Sequence, residues 1–507
     1  MKKILNFLFS RLIITWFLIF LQIFILFFIL WKLSSDAIYV YIGFMILGFL
    51  ILVYIMNEDK SPSLKIPWII LIFVMPVFGG PLYMMFGHNN LYKRERKKLS
   101  KIREALNKNI ETNDNISKLP INYQGQSKYI NKQTGASLYQ NTSIKYFELG
   151  DKMFVSLLED LKKAEKFIFL EYFIIEDGLM WNSILKILID KVKEGVDVRV
   201  MFDDLGCIVT LPNKYDKYLQ TLGIKCTIFN PFKPILSIGH NNRDHRKITI
   251  IDGYIGYTGG NNIADEYINQ YPKHGHWKDT SVRLEGESVY CLTRLFLSSW
   301  NYFNKSRESI EKFKPNNLTN KKIKNDGLVQ IFGDNPIDKE HISETVYLNM
   351  IYSANDYIYI NSPYLIMTYE LKEALLNAAK RGVDVRITTP MIPDKWYVHL
   401  ITQSSYKSLI LDGVKIYEYK PGFNHAKSMI VDDKLAIIGT INLDYRSLLH
   451  HFECGVWIYD DSVINDMKID YERTLKECLK INKEMIKNLP FHKRWMRNII
   501  QFFAPLL

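Results

Sequence analysis

Cysteine is scarce in this chain, and its arrangement argues against two classes of architecture. The 507 residues include only five cysteines, which are scattered, odd in number and never spaced as C-x-x-C. This usage argues against a disulfide framework and a cysteine zinc site, and it favours a reducing compartment. Acidic residues are also few, since 53 Asp and Glu face 65 Lys and Arg for a net charge of +12. A basic balance of this size favours a phosphate-bearing partner, either nucleic acid or an anionic membrane surface.

Polar residues are nearly absent from two long stretches near the N-terminus. Residues 12–33 are interrupted only by Thr15, Gln22 and Lys32, and residues 37–56 form a second run of spanning length. About 20 apolar residues in a helix cross a hydrocarbon core of about 30 Å. Both stretches are therefore predicted transmembrane helices, joined as a hairpin. A signal peptide is the alternative for the first stretch, but its apolar run is too long.

Proline and glycine interrupt a third apolar stretch, residues 66–86, which favours an interfacial or re-entrant segment over a straight span. Residues 1–87 are thus the predicted membrane region, and residues 88–124 follow as a basic juxtamembrane linker. Basic residues at both ends of the membrane region place both ends in the cytoplasm under the positive-inside bias. Residues 491–507 mix basic and aromatic side chains, which predicts an amphipathic tail in the lipid headgroups or, alternatively, a terminal helix packed on the protein.

The rest of the chain is predicted to be an α/β protein built by internal duplication. A strand–helix–strand order occurs twice, and the run Glu194-Gly-Val-Asp-Val-Arg199 nearly repeats as Arg381-Gly-Val-Asp-Val-Arg386. These repeats indicate two α/β halves, residues 125–303 and 327–490, joined by a polar linker over residues 304–326. Each half carries one copy of a short motif, so the halves are expected to pack face to face into one catalytic unit.

The motif is H-x-K-x4-D, followed at equal offsets by Gly and Asn. Two extended copies are very unlikely to arise by chance. The candidate catalytic residues are His245, Lys247 and Asp252 in the first copy, and His425, Lys427 and Asp432 in the second. Because residues two apart on a strand share a face, each histidine lies beside its own lysine. The two aspartates complete the motif, and the turn signals at their positions favour a turn-forming role over a chemical one.

Two such motifs predict phosphodiester chemistry that needs no metal or other cofactor. One neutral imidazole attacks phosphorus, and the opposite protonated imidazole donates its proton to the departing alcohol. The lysines, with Asn262 and Asn442, can donate hydrogen bonds to the phosphate oxygens. Each histidine also needs a partner on its second ring nitrogen, and Asp279 and Glu453 stand at matching places in the repeat. The sequence shows no metal-ligand cluster. Five other histidines are predicted to be bystanders: His240, His274, His276, His450 and His451.

These residues resemble the phospholipase D superfamily, whose signature is the doubled motif. The membrane segments, Tyr83-Met-Met-Phe-Gly87, Asp444-Tyr-Arg-Ser447, the run from Gly259 to Tyr267 and the tail from Phe503 to Leu507 are similar to bacterial cardiolipin synthases. The resemblance implies transfer of a phosphatidyl group between two phosphatidylglycerols through a phosphatidyl-histidine, giving cardiolipin and glycerol. It also implies that His245 is the nucleophile and His425 the acid/base. The symmetry of the two copies does not by itself distinguish the two roles.

The same resemblance implies a multi-pass protein of the bacterial plasma membrane with its catalytic part on the cytoplasmic side. Its expected partners are phosphatidylglycerol and anionic membrane lipids; nucleic acid is not expected, because much of the basic charge lies beside the membrane segments. His451, Ala264 and Gly260 depart from the usual pattern of the synthases. A phospholipase D-type hydrolase, a phosphatidylserine synthase, a membrane-tethered nuclease and a non-catalytic scaffold stay open as alternatives, and the sequence predicts no oligomeric state.

Overall fold

An apolar helical region precedes two α/β halves in the computed structural model of the protein. The structure describes residues 11–36, 38–58, 62–87, 93–107, 114–232, 242–315, 323, 327–338, 340–487 and 500. The predicted amphipathic tail over residues 491–507 lies outside these described residues except for residue 500.

Four helices form the apolar region: α1 (Arg11–Asp36), α2 (Ile38–Met56), α3 (Pro62–Val74) and α4 (Pro76–Phe86). Within the part of the chain that the structure describes, α2 (Ile38–Met56) is the one helix long and apolar enough to cross a membrane. Shorter apolar helical stretches lie at Phe20–Leu33 and Leu64–Val74. The stretch 66–86 is divided between two short helices, because Pro76 begins α4 at its first turn. Gly48 and Gly80 let α2 and α4 approach closely, with 3.5 Å between the Cα of Gly48 and the place a Cβ of Gly80 would take.

The basic stretch after the apolar region is a docked helix rather than a solvated linker. Helix α5 (Lys93–Asn107) buries Leu99 and Leu106 against the catalytic halves. Arg96 donates to the carbonyl of Ile337 at 2.7 Å, and Arg103 pairs with Asp338 at 2.5 Å. The apolar residues of this stretch therefore pack against the protein, and two of its arginines bond to it.

Helix α6 (Ile121–Thr134) spans the predicted start of the first half at residue 125 and packs on the second half. Gln330 donates to the carbonyls of Ser127 and Ala136, at 3.2 and 2.8 Å. The segment before the first sheet thus ties the two halves together.

The first half is built around a seven-stranded sheet in the order β1-β9-β7-β6-β2-β3-β4. Its strands are β1 (Thr142–Phe147), β2 (Phe167–Tyr172), β3 (Asp197–Asp203), β4 (Lys225–Phe229), β5 (Arg243–Asp244), β6 (Lys247–Ile251), β7 (Ile255–Gly259), β8 (His276–Lys278) and β9 (Ser281–Gly286), with β5 and β8 outside this sheet. Its helices are α7 (Gly150–Lys162), α8 (Leu179–Lys193), α9 (Asp204–Cys207), α10 (Tyr215–Thr221) and α11 (Val289–Asn304). Strands β2, β3 and β4 run parallel, and the β6–β7 hairpin carries the first motif.

The second half repeats this order as β10-β19-β17-β16-β11-β13-β14, extended by β20. Its strands are β10 (Leu328–Asp334), β11 (Tyr357–Asn361), β12 (Leu365–Ile366), β13 (Asp384–Pro390), β14 (Lys415–Tyr419), β15 (Gly422–Asn424), β16 (Ser428–Val431), β17 (Leu435–Gly439), β18 (Leu443–Asp444), β19 (His451–Tyr459) and β20 (Cys478–Lys480). Its helices are α12 (Ile342–Ser353), α13 (Tyr369–Lys380), α14 (Trp396–Leu411), α15 (Tyr445–Leu449), α16 (Val463–Lys476) and α17 (Lys483–Lys487). The predicted duplication of an α/β half is confirmed.

The two halves exchange short strands at their interface. Strand β5, which precedes the first motif, pairs with β19 of the second half, and β15, which precedes the second motif, pairs with β8 of the first half. The largest buried apolar cluster contains Phe169 and Ile248 of one sheet together with Ile331 and Val456 of the other. The halves therefore share a core, and each motif is held in place by backbone of the opposite half.

Candidate active site

The first motif begins between the end of β5 and the start of β6. The backbone N–H of His245 donates to the carbonyl of Phe452 at 2.9 Å, so the second half fixes this residue's position. Lys247 begins β6, is almost fully buried, and donates from Nζ to the carbonyl of His245 at 2.5 Å. The ammonium is thereby held beside its own histidine, as the two-residue spacing predicted.

The second motif repeats this arrangement with the halves interchanged. The backbone N–H of His425 donates to the carbonyl of Lys278 at 2.7 Å. Lys427 donates from Nζ to the carbonyl of His425. Both histidines are buried, with 7% of His245 and 6% of His425 exposed. A pseudo-twofold relation between the halves therefore extends to the reactive side chains.

Each histidine takes its carboxylate partner from the opposite half. His245 Nδ1 lies 2.9 Å from Glu453 Oε1, and His425 Nδ1 lies 2.5 Å from Asp279 Oδ2. Both carboxylates are completely buried. A carboxylate that accepts from Nδ1 fixes the ring and leaves Nε2 as the reactive nitrogen. The sequence predicted these two partners, and the structure adds that the pairing is crossed between the halves.

Aromatic rings enclose both imidazoles and keep water away from them. Phe173 lies with its ring centroid 5.4 Å from that of His245. Trp277, Tyr267 and Phe423 surround His425 at 5.4, 5.5 and 5.6 Å. A site of this kind strengthens electrostatic interactions with a bound phosphate, because little solvent screens them.

Burial and the two lysines favour the neutral form of both histidines. Burial, then Lys247 and Lys427, places the pKa of His245 well below its usual value. Burial and Lys427 lower the pKa of His425 to about 4, against the opposing effect of Asp279. Burial likewise lowers the pKa of Lys247 to about 7 and that of Lys427 to about 8. An anionic phosphodiester between these groups favours their protonated forms, so binding itself recruits the proton that an acid catalyst needs.

The motif aspartates lie at the far ends of their strands and do not join the histidines. Asp252 accepts from the backbone N–H groups of residues 165–167 at 2.7 to 2.9 Å. Asp432 does the same for residues 355–357 at 2.7 to 3.0 Å. Both have positive φ, 52° and 51°, as turn residues do. Their inclusion among the candidate catalytic residues is corrected by this geometry, which supports the turn-forming interpretation of the same residues.

The motif asparagines are buried, but their surroundings differ. Asn262 accepts from the backbone N–H of Ile174 at 3.1 Å and donates to the Tyr267 hydroxyl at 2.6 Å. Asn442 Oδ1 is buried and has no hydrogen-bond partner among the described residues. A buried polar atom of this kind at a reactive site is suited to a bound polar ligand. The phosphate-binding role of both asparagines stays a prediction.

His245 and two neighbouring side chains form a group with the geometry to hold a metal ion, which the sequence did not reveal. Ligand atoms of His245, His451 and Glu453 lie within 4.8 Å of one another, and the rings of the two histidines are 5.4 Å apart. His451 was interpreted as a bystander because nothing in its local sequence connects it with the first half. A divalent ion held there would use the atoms that orient His245, and it would therefore compete with that residue's reaction at phosphorus.

Comparison with known proteins follows the same division of the chain. A family model described as "Cardiolipin synthase, PLD-like domain" matches residues 157–271 and 347–475, and one described as "Phospholipase D-nuclease N-terminal" matches residues 46–88. The chain is 34% identical over 462 residues to a cardiolipin synthase of Alkalihalophilus pseudofirmus, covering 90% of this chain and 91% of that protein. This chain belongs to the phospholipase D-like cardiolipin synthase family. It is also 41% identical over 460 residues to an uncharacterized protein of Streptococcus mutans, covering 90% of this chain and 99% of that protein.

A solved structure supports the fold assignment. The crystal structure of a phosphatidylserine synthase from Haemophilus influenzae superposes with a TM-score of 0.54 over 72% of this chain and 93% of that chain, at 15% identity. At this identity the likeness concerns the fold alone. The fold of this chain is thus shared with that protein, and the chemistry of this chain must be argued from its own side chains.

Proposed function

We propose that this protein is a cardiolipin synthase that transfers a phosphatidyl group from one phosphatidylglycerol to another. The observation that carries the proposal is the crossed pairing of two buried histidines with carboxylates of opposite halves, flanked by two buried lysines. This arrangement supplies one nucleophile, one acid/base and two cations at a single site. Two relatives named cardiolipin synthase, which match along 90% and 89% of the chain, support the same activity.

In the first step Nε2 of His245 attacks phosphorus of the first phosphatidylglycerol. The P–O bond to glycerol breaks as a P–N bond forms, and His425 gives a proton to the departing glycerol oxygen. Lys247 and Lys427, with Asn262 and Asn442, would donate to the non-bridging oxygens, where negative charge accumulates. The product of this step is a phosphatidyl-histidine with free glycerol.

In the second step the terminal hydroxyl of another phosphatidylglycerol attacks the same phosphorus. His425 takes the hydroxyl proton, the P–N bond breaks, and His245 returns to its neutral form as cardiolipin leaves. The sum of the two steps consumes two phosphatidylglycerols and yields one cardiolipin and one glycerol. The protons balance on His425, so the scheme draws on no other group.

The apolar helices would keep this site at a lipid surface. Helix α2 is long and apolar enough to cross a membrane, and α1 contacts it. We place both as a two-span hairpin in the bacterial plasma membrane with both ends cytoplasmic, because basic residues flank the region on both sides. The docked helix α5 then fixes the catalytic halves close to the cytoplasmic leaflet, where phosphatidylglycerol and other anionic lipids are available.

Purified full-length protein in phosphatidylglycerol vesicles tests the proposal directly. The expected result is cardiolipin and free glycerol in equal amounts, measured by lipid mass spectrometry and a glycerol assay. Accumulation of phosphatidic acid in place of cardiolipin would identify a hydrolase. Incorporation of labelled free serine into lipid would identify a phosphatidylserine synthase, and nicking of plasmid DNA in place of lipid turnover would identify a nuclease.

A further inference from the structure

The surroundings of His425 contain a hydroxyl–carboxylate pair that the transfer scheme does not use. The Tyr364 hydroxyl donates to Asp394 Oδ2 at 2.6 Å. The ring of Tyr364 lies 6.4 Å from that of Phe423, which in turn stacks 5.6 Å from His425. The charge of Asp394 also acts on Lys427, where it opposes the loss of the ammonium proton. Asp394 therefore belongs to the neighbourhood of the second motif, although it lies far from it in sequence.

The other oxygen of the Asp394 carboxylate lies in an environment that is unusual in folded proteins. Asp394 Oδ1 is buried and has no hydrogen-bond partner among the described residues. Buried carboxylate oxygens are ordinarily paired, because leaving one unpaired costs free energy. The neighbouring Met391, Ile392 and Trp396 are exposed, so Asp394 lies just beneath the protein surface. A ligand that donates a hydroxyl hydrogen bond would satisfy this oxygen.

The His245 side of the site offers a different set of groups. Its imidazole is contacted by the apolar ring of Phe173 and by His451. The carboxylate nearest to it, Glu453, already accepts from His245 and from the Thr440 hydroxyl. Both oxygens of Glu453 are therefore engaged, whereas Asp394, on the side of the residue that exchanges a proton with the alcohol in the proposed reaction, keeps one oxygen unpaired.

We infer that Asp394, held by Tyr364, binds the hydroxyl next to the reacting oxygen of the glycerol headgroup. The inference rests on the proposed phosphatidyl transfer and names the alcohol class that the site selects, a vicinal diol. In phosphatidylglycerol and in glycerol, the reacting oxygen has a hydroxyl on the adjacent carbon. A carboxylate that accepts from this hydroxyl orients the reacting oxygen toward phosphorus and His425. Water and simple alcohols lack the second hydroxyl and gain nothing from Asp394.

A competition between two small acceptors tests this selection. Full-length enzyme in phosphatidylglycerol vesicles is given equal concentrations of 1,2-propanediol and 1-propanol, which differ by one vicinal hydroxyl. In each transfer the P–N bond breaks, a P–O bond to the alcohol forms, and the alcohol proton moves to His425. Mass spectrometry then gives the ratio of phosphatidylpropanediol to phosphatidylpropanol. The native enzyme is expected to favour the diol by about tenfold, since sites built to bind a hydroxyl discriminate against analogues that lack it.

Asp394→Ala is expected to bring that ratio close to one, because the diol loses its additional hydrogen bond and 1-propanol has none to lose. Tyr364→Phe should give an intermediate ratio, because it removes the hydroxyl that positions the carboxylate. The matched control is Asp412→Ala, which removes a more exposed carboxylate that pairs with Lys380 at 3.2 Å, and it should leave the ratio unchanged. Melting temperatures establish that each variant is folded.

A native diol preference in Asp394→Ala, or equal loss of both products, would overturn the inference. If Asp394→Ala does not fold, Tyr364→Phe decides, and an unchanged ratio in that variant is the contrary result. Native enzyme that makes cardiolipin without preferring the diol would overturn this inference alone. Native enzyme that forms both phosphatidyl alcohols but no cardiolipin would instead contradict the proposed function, and the ratio would still report on Asp394.

Discussion

The His245 and His425 sides of the active site share one frame and differ in what touches each carboxylate. In both, a buried carboxylate from the opposite half lies against Nδ1 and a lysine donates to the carbonyl of the histidine. Asp279 accepts from His425 and from the backbone N–H of Thr280, whereas Glu453 accepts from His245 and from the hydroxyl of Thr440. The charge of Asp279 raises the pKa of His425, whereas burial, Lys247 and Lys427 set the pKa of His245 well below its usual value. Duplication accounts for the shared geometry, and this difference in the pKa of the two imidazoles supports the proposal that His245 is the nucleophile and His425 the acid.

The largest effect should come from removing either imidazole. His245→Ala and His425→Ala are each expected to lower kcat by at least about 10⁴-fold, because each residue acts in both steps. Steady-state cardiolipin formation in vesicles gives the rates. His341→Ala, at an exposed histidine before α12, is the control and should turn over normally. Normal turnover in either active-site variant would show that the two sides do not work as a pair.

Removing the crossed carboxylates should have the next largest effect. Asp279→Asn and Glu453→Gln are each expected to lower kcat by roughly 10² to 10³-fold, because an uncharged amide stabilises the imidazolium less and can present its NH₂ group to Nδ1, which favours the wrong tautomer. Asp279 raises the pKa of His425, so its loss lowers that pKa further. The alkaline limb of the kcat–pH profile should then move to lower pH in Asp279→Asn.

Asp460→Asn, at a half-exposed carboxylate paired with Lys434, serves as the control for both variants. An Asp279→Asn enzyme with an unshifted alkaline limb would mean that Asp279 has only a structural role. That result would remove the basis for assigning the acid to His425.

Substitutions of the residues that contact the two carboxylates should lower kcat by smaller and unequal amounts. A Cβ at Gly260 would lie 1.9 Å from Asp279 Oδ1, so Gly260→Ala must displace that carboxylate. We expect a loss of activity of about tenfold or more. Thr440→Ala removes one hydroxyl from Glu453 and should cost only about threefold. Equal effects of the two substitutions, measured as kcat with melting temperatures alongside, would contradict the asymmetry.

The motif aspartates should give the smallest effect on catalysis. Each accepts three backbone N–H groups at a strand end. Asp252→Asn and Asp432→Asn are therefore expected to lower the free energy of unfolding by about 1 to 3 kcal/mol and to leave kcat of the folded enzyme within about twofold. Chemical denaturation and vesicle assays separate the two quantities. A 100-fold loss of kcat at normal stability would return these residues to the chemical mechanism.

The duplication and both motifs were predictable because they are local patterns in the chain. Near identity of the runs ending at Arg199 and Arg386 indicated two halves, and the alignment of residues 278–282 with residues 452–456 selected Asp279 and Glu453. The crossing of the carboxylates was not predictable, since it depends on the exchange of β5 and β15 between the halves. Tertiary packing also brings His451 beside His245 and the charge of Asp394 near Lys427, and neither proximity is visible in the sequence. The docking of α5 was missed because charge dominates its composition.

Mapping the covalent intermediate tests the central claim most directly. Native enzyme turning over phosphatidylglycerol is denatured rapidly at alkaline pH, where phosphohistidine persists, and its peptides are analysed by mass spectrometry. The account predicts a phosphatidyl mass on the peptide that contains His245 and none on the peptide that contains His425. An adduct on His425, or turnover with no adduct on either histidine, would contradict the account.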